Sequence, residues 1–308
     1  MTPPLLGIVG PTASGKTELA LAVAERLPVE ILVADSRQVY RGMDVGTAKP
    51  DAAARARVAH HLIDLVHPDE PFTVADWVQR ARTVVTEVAR RGRLPLLVGG
   101  TGLYVSAIVA GHDYASQGWS PAVRRRLVDE LDAEGLDALV ARLETADPAQ
   151  AAAIDRHNPR RVLRALERVE AGGGGVGLRA LPYAAPVALV GIERPREVLN
   201  RRIDQRAAWL FANGLLDEVR ALMAAGYGRE LQPMTGHGYA EAAAYLAGEW
   251  TLDEAVAVTA RRTRQYAKRQ LTWFRRHTPP LWMPAADEPG DDPRLVERAE
   301  LAFRAALS

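Results

Sequence analysis

The sequence predicts an α/β fold, in which a parallel sheet is flanked by helices and carries an inserted all-helical domain. Short apolar runs alternate with helical patterns along the chain, and a glycine-rich loop follows the first run. The long stretch between residues 98 and 187 carries only helical signals. Strands that alternate with helices are typical of parallel sheets, which bind their ligands beyond the carboxyl ends of the strands.

Four apolar runs predict buried parallel strands, because strands covered on both faces are apolar throughout. Between them, residues 18–26 follow the glycine-rich loop and residues 73–91 repeat apolar positions at helical spacing. Near the end of the chain, Thr251 and Glu254 form a capping box that opens a long helix ending near His277. The predicted strands are residues 5–9, 31–34, 94–98 and 187–192, and two further helices cover residues 197–213 and 215–225.

Residues 10–17 read GPTASGKT, a complete phosphate-binding loop between a predicted strand and a predicted helix. This predicts a P-loop NTPase-like sheet. Its glycines let backbone N–H groups turn toward a phosphate, Lys16 supplies a positive charge, and the Thr17 hydroxyl can hold Mg²⁺. The loop alone leaves open whether the ligand is ATP, GTP or another diphosphate. The predicted diphosphate site comprises Gly10, Pro11, Thr12, Ala13, Ser14, Gly15, Lys16 and Thr17.

Polar residues follow the second and third strands, at the sheet edge where this loop lies. Asp35 comes directly after the second strand, where a carboxylate can act as a general base, a metal ligand or a turn residue. The third strand ends in GGTGLY, whose glycines permit close backbone approach and whose Thr101 hydroxyl can bind a substrate edge. His60 and His61 are adjacent and complete no metal-binding pattern, so we assign them to packing.

The stretch with helical signals predicts a second domain. We expect a P-loop-type catalytic core of residues 1–112 and 187–308, interrupted by a helical insertion domain of residues 113–186. The glycines at 172–175 predict a flexible linker near its end. Three N-cap residues stand before prolines at first helical positions, namely Ser120-Pro121, Asp147-Pro148 and Asn158-Pro159.

Basic residues are concentrated on the last long helix, although the net charge is only +1. Residues 261–277 hold seven Arg or Lys and no acid, and Arg262, Arg269 and Arg276 recur there at heptad spacing. A solvated face on a packed helix is one interpretation. The alternative is a surface that binds a polyanion such as RNA, and seven cations without an acid favour this alternative.

The compartment is predicted from what the sequence lacks. It contains no cysteine, no apolar run of membrane-spanning length and no basic region before the first apolar run. We expect a cytoplasmic monomer that does not contact a membrane.

Six segments resemble, in this order, the bacterial tRNA dimethylallyltransferases: GPTASGKT, DSRQVYRGMDVGTAKP, HHLID, GGTGLY, NPRRVLRALE and RTRQYAKRQLTWFR. The resemblance spans nearly the whole chain. It implies transfer of a dimethylallyl group from dimethylallyl diphosphate to the exocyclic amine of adenosine 37, beside the anticodon, in the anticodon stem-loop of tRNA. The products would be isopentenyladenosine and diphosphate. The loop would hold the isoprenoid diphosphate rather than ATP, with Mg²⁺ as cofactor.

The resemblance also implies roles for individual residues. Asp35 would accept a proton from the adenine amine, and Thr101 would contact the target nucleotide. Lys16 would stabilise the diphosphate, with Arg206 as a second cation. The residues implied to contact tRNA are Asp35, Ser36, Arg37, Gln38, Thr101, Asn158, Pro159, Arg160, Arg161, Val162, Arg262, Arg269 and Arg276.

Two features depart from the family pattern: residues 172–180 read GGGGVGLRA, and the linker after GGTGLY lacks the usual prolines. Other functions also stay open. A small-molecule P-loop kinase would use the loop and Asp35, but the third strand ends in glycines where many such enzymes place a metal-binding aspartate. Prenyl transfer to a free adenine nucleotide leaves the insertion without a role. A nucleic-acid-binding module without catalysis leaves the phosphate loop unexplained.

Overall fold

The structure is a computed structural model, and it describes residues 2–111, 120–172, 181–285 and 292–307. Residues 113–119, at the start of the predicted insertion, lie outside these ranges, as do residues 173–175 of the predicted glycine linker.

The described strands form one parallel sheet of six strands. They are β1 (Leu5–Val9), β2 (Val29–Ala34), β3 (His60–His61), β4 (Leu94–Gly99), β5 (Val187–Glu193) and β6 (Leu281–Pro284). Their order across the sheet is β3-β2-β4-β1-β5-β6, so the α/β class with a parallel sheet is confirmed. All four predicted strands are present. The two edge strands were not predicted, because short edge strands are not covered on both faces and lack a continuous apolar run.

Helices surround the sheet, and those predicted from the sequence are present within about two residues of the predicted ends. The capping box of the last long helix is confirmed: Thr251 N–H donates to Glu254 Oε2 at 2.7 Å, and Glu254 N–H donates to Thr251 Oγ1 at 3.3 Å. The helices are α1 (Lys16–Ala24), α2 (Ala52–Arg57), α3 (Val74–Arg90), α4 (Gly102–Val109), α5 (Pro121–Glu134), α6 (Leu136–Ala146), α7 (Pro148–Ala153), α8 (Pro159–Glu170), α9 (Arg196–Ala212), α10 (Leu215–Ala224), α11 (Tyr239–Leu246), α12 (Leu252–His277) and α13 (Pro293–Leu307).

The chain divides into two compact units, Met1–Ala110 with Pro182–Ser308, and Gly111–Leu181. In the first unit, the apolar strand residues pack with α1 and α13 in a cluster that includes Ile8, Val23 and Phe303. Burial of these side chains holds the carboxyl ends of the strands, and the loops that follow them, in fixed positions.

The second unit is a small helical bundle with its own core. Its helices α5 to α8 pack around Leu127, Leu143 and Leu166. The three predicted N-caps are confirmed, because the side chains of Ser120, Asp147 and Asn158 accept hydrogen bonds from Val123, Gln150 and Arg160 N–H, respectively.

Within the described ranges, no helix combines the length and the apolar composition that crossing a bilayer requires.

Candidate active site

The phosphate loop leaves β1 and enters α1 with the backbone that such a loop needs. Gly10, Ala13 and Gly15 all have positive φ, at 143°, 62° and 98°. Lys16 begins the helix, and its Nζ donates a hydrogen bond to the Pro11 carbonyl at 2.6 Å. Burial lowers the pKa of Lys16 to about 8, while Asp35 partly opposes that shift. The loop thus has the backbone conformation and the positive charge that an anion site requires.

Two arginines, one directly after β5 and one on α9, donate hydrogen bonds to the backbone of this loop. Arg194 Nε donates to the Ser14 carbonyl at 2.7 Å, and Arg202 Nε donates to the Ala13 carbonyl at 2.8 Å. Arg206 lies one turn after Arg202 and lines the same cavity, and its pKa is lowered by burial. Arg206 was predicted from the sequence and Arg194 and Arg202 were not, although the spacing of Arg202 and Arg206 places both on one face of a helix.

A buried glutamine on α12 fixes the loop from the other side. The Gln270 side chain accepts a hydrogen bond from Thr12 N–H at 2.8 Å, and its amide donates to the Gly100 carbonyl at 2.8 Å. In the sequence, Gln270 is a polar residue at helical spacing between Ala267 and Phe274, which are both buried. A polar residue on such an apolar face could have indicated a buried role. Gln270 therefore joins the phosphate loop to the end of β4.

Asp35 and Thr101 lie side by side because β2 pairs with β4 and Ala34 aligns with Gly99. The Asp35 carboxylate accepts a hydrogen bond from Arg37 N–H at 2.8 Å, and Thr101 Oγ1 accepts one from Ser36 N–H at 3.0 Å. Asp35 thus makes the turn contact that was considered for it and also lines the cavities described below.

Tyr266, on α12, completes this group. Its hydroxyl lies next to the Thr101 side chain, and burial raises the pKa of Tyr266 to about 12. The phenol therefore stays protonated at neutral pH, next to Asp35.

The glycines at and just after the end of β4 permit this close packing. A Cβ at Gly99 would overlap the Ala34 carbonyl, and one at Gly100 would overlap the Gln270 amide. At Gly102 it would overlap the Trp273 ring. The GGTG segment therefore brings β2 and α12 against the end of β4.

Two cavities meet at this sheet edge. The larger, about 1120 Å³, is lined by the phosphate loop, Arg202 and Arg206. The smaller, about 210 Å³, is lined by residues of α9, α11, α12 and the segment around His237. Thr12, Asp35, Thr47, Arg206 and Tyr266 line both cavities.

The segment after Asp35 is anchored by a carboxylate from α10. Glu218 accepts hydrogen bonds from the backbone N–H groups of Asp44, Val45 and Gly46 at 2.8, 2.7 and 3.1 Å, and from the Tyr239 hydroxyl at 2.5 Å. This contact places Gly46 and Thr47 along the smaller cavity. It was not foreseen, because Glu218 is distant in sequence from the segment that it holds.

Gln38, His60 and His61 make hydrogen bonds within the protein. The Gln38 amide donates to the Thr47 carbonyl at 3.1 Å. His61 Nε2 is bonded to Glu30 at 2.7 Å, and His60 Nδ1 contacts the Val58 carbonyl at 2.9 Å, so their assignment to packing is confirmed.

Acids from other elements pair with part of the basic face of α12. Arg262 binds Glu241 at 2.5 Å, and Glu241 is fully buried. Arg264 and Arg275 pair with Asp204 and Glu193. The helix sequence could not show these acids, because they lie on other elements. Arg269, whose guanidinium lies 5.7 Å from the centre of the Tyr266 ring, and Arg276 are exposed.

In the helical unit, the NPRRV block forms the start of α8. Asn158 caps the helix, and Arg160 and Arg161 are exposed in its first turn. The Val162 side chain is fully buried in the core of this unit. An RNA contact at Val162 would therefore have to involve its main chain.

Comparison with known proteins agrees with this geometry. The family model described as IPP transferase matches residues 38–277, and the model described as isopentenyl transferase matches residues 4–63. The tRNA dimethylallyltransferase of Syntrophobacter fumaroxidans is 45% identical over 95% of this chain and 87% of its own length. That of Roseiflexus castenholzii is 45% identical over 98% of this chain and 97% of its own length.

A solved structure gives the same result. The full-length tRNA isopentenylpyrophosphate transferase from Bacillus halodurans is 40% identical, with a TM-score of 0.74, over 99% of this chain and 96% of its own. A eukaryotic dimethylallyltransferase acting on tRNA, at 23% identity and a TM-score of 0.72, shares the fold. These matches do not favour a small-molecule kinase. The chain belongs to the tRNA dimethylallyltransferase (IPP transferase) family, and it is a transferase with that family's P-loop-like fold.

Proposed function

We propose that this protein transfers the dimethylallyl group of dimethylallyl diphosphate to the exocyclic amine of adenosine 37 in tRNA. One observation carries the proposal: Arg206 and Asp35 line both cavities, and Lys16 lines the larger one close to both of them, so the predicted diphosphate site adjoins a carboxylate. Thr101 lies beside Asp35 at the end of β4. A donor and an acceptor can therefore be held on two sides of one junction.

The diphosphate side is suited to a leaving group that gains charge. Backbone N–H groups of the loop, Lys16 and Arg206 would stabilise negative charge on the departing diphosphate. Because these cations are partly buried, their attraction for the diphosphate is stronger than it would be in water. The loop also excludes water from one side of the allylic group.

Mg²⁺ fits the donors at this site. Thr17 offers a hydroxyl in the first turn of α1 and lines the larger cavity. Among the described residues, no group of three Asp, Glu, His or Cys is placed to hold a metal alone, whereas Mg²⁺ commonly takes few protein ligands together with substrate phosphates. Bound there, Mg²⁺ would supply further charge neutralisation on the diphosphate.

The acceptor side requires a base, because the exocyclic amine of adenine is a weak nucleophile. Asp35 is the carboxylate at the junction, and it would accept the proton that the amine loses. Thr101 and Tyr266 would orient the target nucleotide through their hydroxyls. The hydrogen bond from Arg37 N–H holds the carboxylate in place.

The target base must leave the anticodon loop to reach this junction, which costs less from a single-stranded loop than from a duplex. Ser36, Arg37 and Gln38 follow Asp35 and are suited to contact nearby nucleotides. Arg269 and Arg276 on α12 would bind RNA phosphates, with Arg262 at the edge of that surface. We assign the same role to Asn158–Arg161 of the helical unit, and we expect a cytoplasmic monomer.

Incubation of the protein with dimethylallyl diphosphate, Mg²⁺ and unmodified tRNA tests the proposal. Mass analysis of the RNA digest should reveal isopentenyladenosine at position 37 and nowhere else in the anticodon loop. A control RNA with guanosine at that position should remain unmodified. Prenylation of free adenine nucleotide, or phosphate transfer from ATP to a small acceptor, without prenylated RNA, would refute it.

A further inference from the structure

Thr259 and His237 line the smaller cavity, and each has a buried polar atom, Oγ1 and Nδ1 respectively, with no hydrogen-bond partner among the described residues. The Thr259 residue is only 2% exposed. A buried hydroxyl or ring nitrogen without a partner is destabilising, and such atoms are uncommon in folded proteins. Two such atoms on residues that line the same cavity point to a polar ligand that these side chains turn toward.

His237 offers a neutral ring to such a ligand. Burial lowers its pKa to about 4, and the neighbouring Arg262, Arg269 and Arg37 add to that effect. At neutral pH the imidazole therefore has one N–H donor and one acceptor nitrogen. Its ring packs edge-on against Tyr266 at a centroid distance of 5.5 Å, which limits its rotation.

The lining of the cavity is suited to a heteroaromatic ring. Ile203, Ala207 and Leu210, spaced one turn apart on α9, form an apolar wall, while Thr259 and His237 contribute polar atoms. Aliphatic side chains pack on the faces of a base, and hydrogen-bonding groups contact its edge. A dimethylallyl tail has no polar atom to offer to Thr259 or His237.

The direction of the reaction gives a second argument, which rests on the proposed function. In an in-line displacement, the amine attacks the allylic carbon from the side opposite the departing diphosphate. Since the phosphate loop, Lys16 and Arg202 line the larger cavity, the acceptor approaches from the smaller one. We propose that Thr259 and His237 bind the ring edge of the acceptor adenine and help to select it.

The test uses anticodon stem-loop RNAs whose target adenosine is replaced by 1-deaza-, 3-deaza- or 7-deazaadenosine. Each analogue lacks one ring nitrogen, and kcat/KM is measured for the wild type, Thr259→Val and His237→Ala. With the wild type, loss of a bonded nitrogen should lower kcat/KM by about tenfold. The variant that lacks the side chain bonded to that nitrogen should already be slower with adenosine. For this variant, the ratio of kcat/KM with adenosine to kcat/KM with that analogue should therefore fall to about twofold or less.

Two controls separate this role from a structural one. Thr272→Val removes an exposed hydroxyl on the same helix, whose bond is to the Lys268 carbonyl, and it should keep the wild-type ratios. His237→Asn retains a polar side chain and serves if His237→Ala does not fold. Thermal unfolding identifies folded variants, and only these are compared.

Wild-type ratios in both folded variants would overturn the proposal. So would weaker dimethylallyl diphosphate binding with unchanged inorganic pyrophosphate binding, because this would place the tail in the smaller cavity. If wild-type protein prenylates no RNA at all, the proposed function fails, which is a distinct result.

Discussion

The side-chain carbonyl of Gln270 accepts a hydrogen bond from the backbone N–H of Thr12 at 2.8 Å, across 258 positions of sequence. The phosphate loop is thus shaped by the last long helix as well as by its own glycines. Because α12 also carries Tyr266, which lies next to Thr101, one helix positions residues on both the proposed diphosphate side and the proposed acceptor side of the site.

Gln270→Leu should weaken the binding of dimethylallyl diphosphate by about tenfold or more, because Thr12 N–H and the Gly100 carbonyl lose a buried partner. The free energy of unfolding should fall by roughly 1 to 3 kcal/mol for the same reason. Calorimetric titration and chemical denaturation measure the two effects. Gln265→Leu, at an exposed position of the same helix, is the matched control, and equal losses in both variants would contradict the expectation.

Asp35→Asn should lower the single-turnover rate by about a hundredfold to ten-thousandfold, since an amide cannot accept the amine proton. The Asn side chain can still accept the hydrogen bond from Arg37 N–H, so binding of tRNA and of diphosphate should change little. Rates on preformed complexes check this. A reduction of less than about threefold would remove Asp35 from the role of base.

The affinity for dimethylallyl diphosphate should decrease above pH 8. Lys16 in the free protein has a pKa of about 8 because it is buried, so the ammonium is present below this pH and is lost above it. A bound diphosphate favours the charged form, and the dissociation constant should rise by up to about tenfold per pH unit beyond 8. Lys16→Ala should bind dimethylallyl diphosphate weakly and lack this rise. The same pH profile in the variant and the wild type would show that Lys16 is not the titrating group.

The same shift affects stability with a defined sign. The native pKa of Lys16 lies below the ordinary value of 10.5, so between pH 8 and 10.5 the unfolded chain binds more protons at this residue. The Lys16 contribution therefore makes the free energy of unfolding rise with pH across that window. Urea denaturation of the wild type and of Lys16→Ala across this pH range gives the two free energies of unfolding, and their difference isolates the Lys16 contribution.

Changing Arg269 and Arg276 together to glutamine should weaken tRNA binding and lower the slope of log affinity against log salt by about 1.5. Dimethylallyl diphosphate binding should stay near the wild-type value. Adding Arg262→Gln should bring the total reduction in this slope to about 2. It should also lower the melting temperature, because it leaves the buried Glu241 without its ion-pair partner.

Arg82 and Arg90, exposed on α3, provide a charge-matched control when both are changed to glutamine. An unchanged salt slope in the folded Arg269 and Arg276 variant would show that this face is merely solvated. The Arg160 and Arg161 positions of the helical unit would then be the next to test.

Local sequence patterns were sufficient for much of the fold. The buried strands were found because both of their faces are covered, and the helix starts at Ser120, Asp147 and Thr251 because capping uses residues within one turn. The same holds for the phosphate loop, whose backbone conformation is set by consecutive residues. Asp35 and Thr101 were found because parallel strands end at a common edge.

The features that were not predicted from the sequence depend on contacts between segments that are distant in the chain. Glu218 holds the backbone of residues 44–46, and Gln270 holds Thr12, but neither has a local pattern that reveals its partner. The pairing of Arg262 with Glu241 escaped for the same reason. Charge on a helix can be counted from sequence, whereas its neutralisation by another element depends on the tertiary fold.

The glycines at and just after the end of β4 have a consequence for how variation in this enzyme should be interpreted. Gly99, Gly100 and Gly102 carry no functional group, yet any side chain there would displace Ala34, Gln270 or Trp273. A saturation library scored by activity would rank these positions with Asp35. Tolerance to substitution here measures available space, so chemistry has to be assigned from assays that separate binding from turnover.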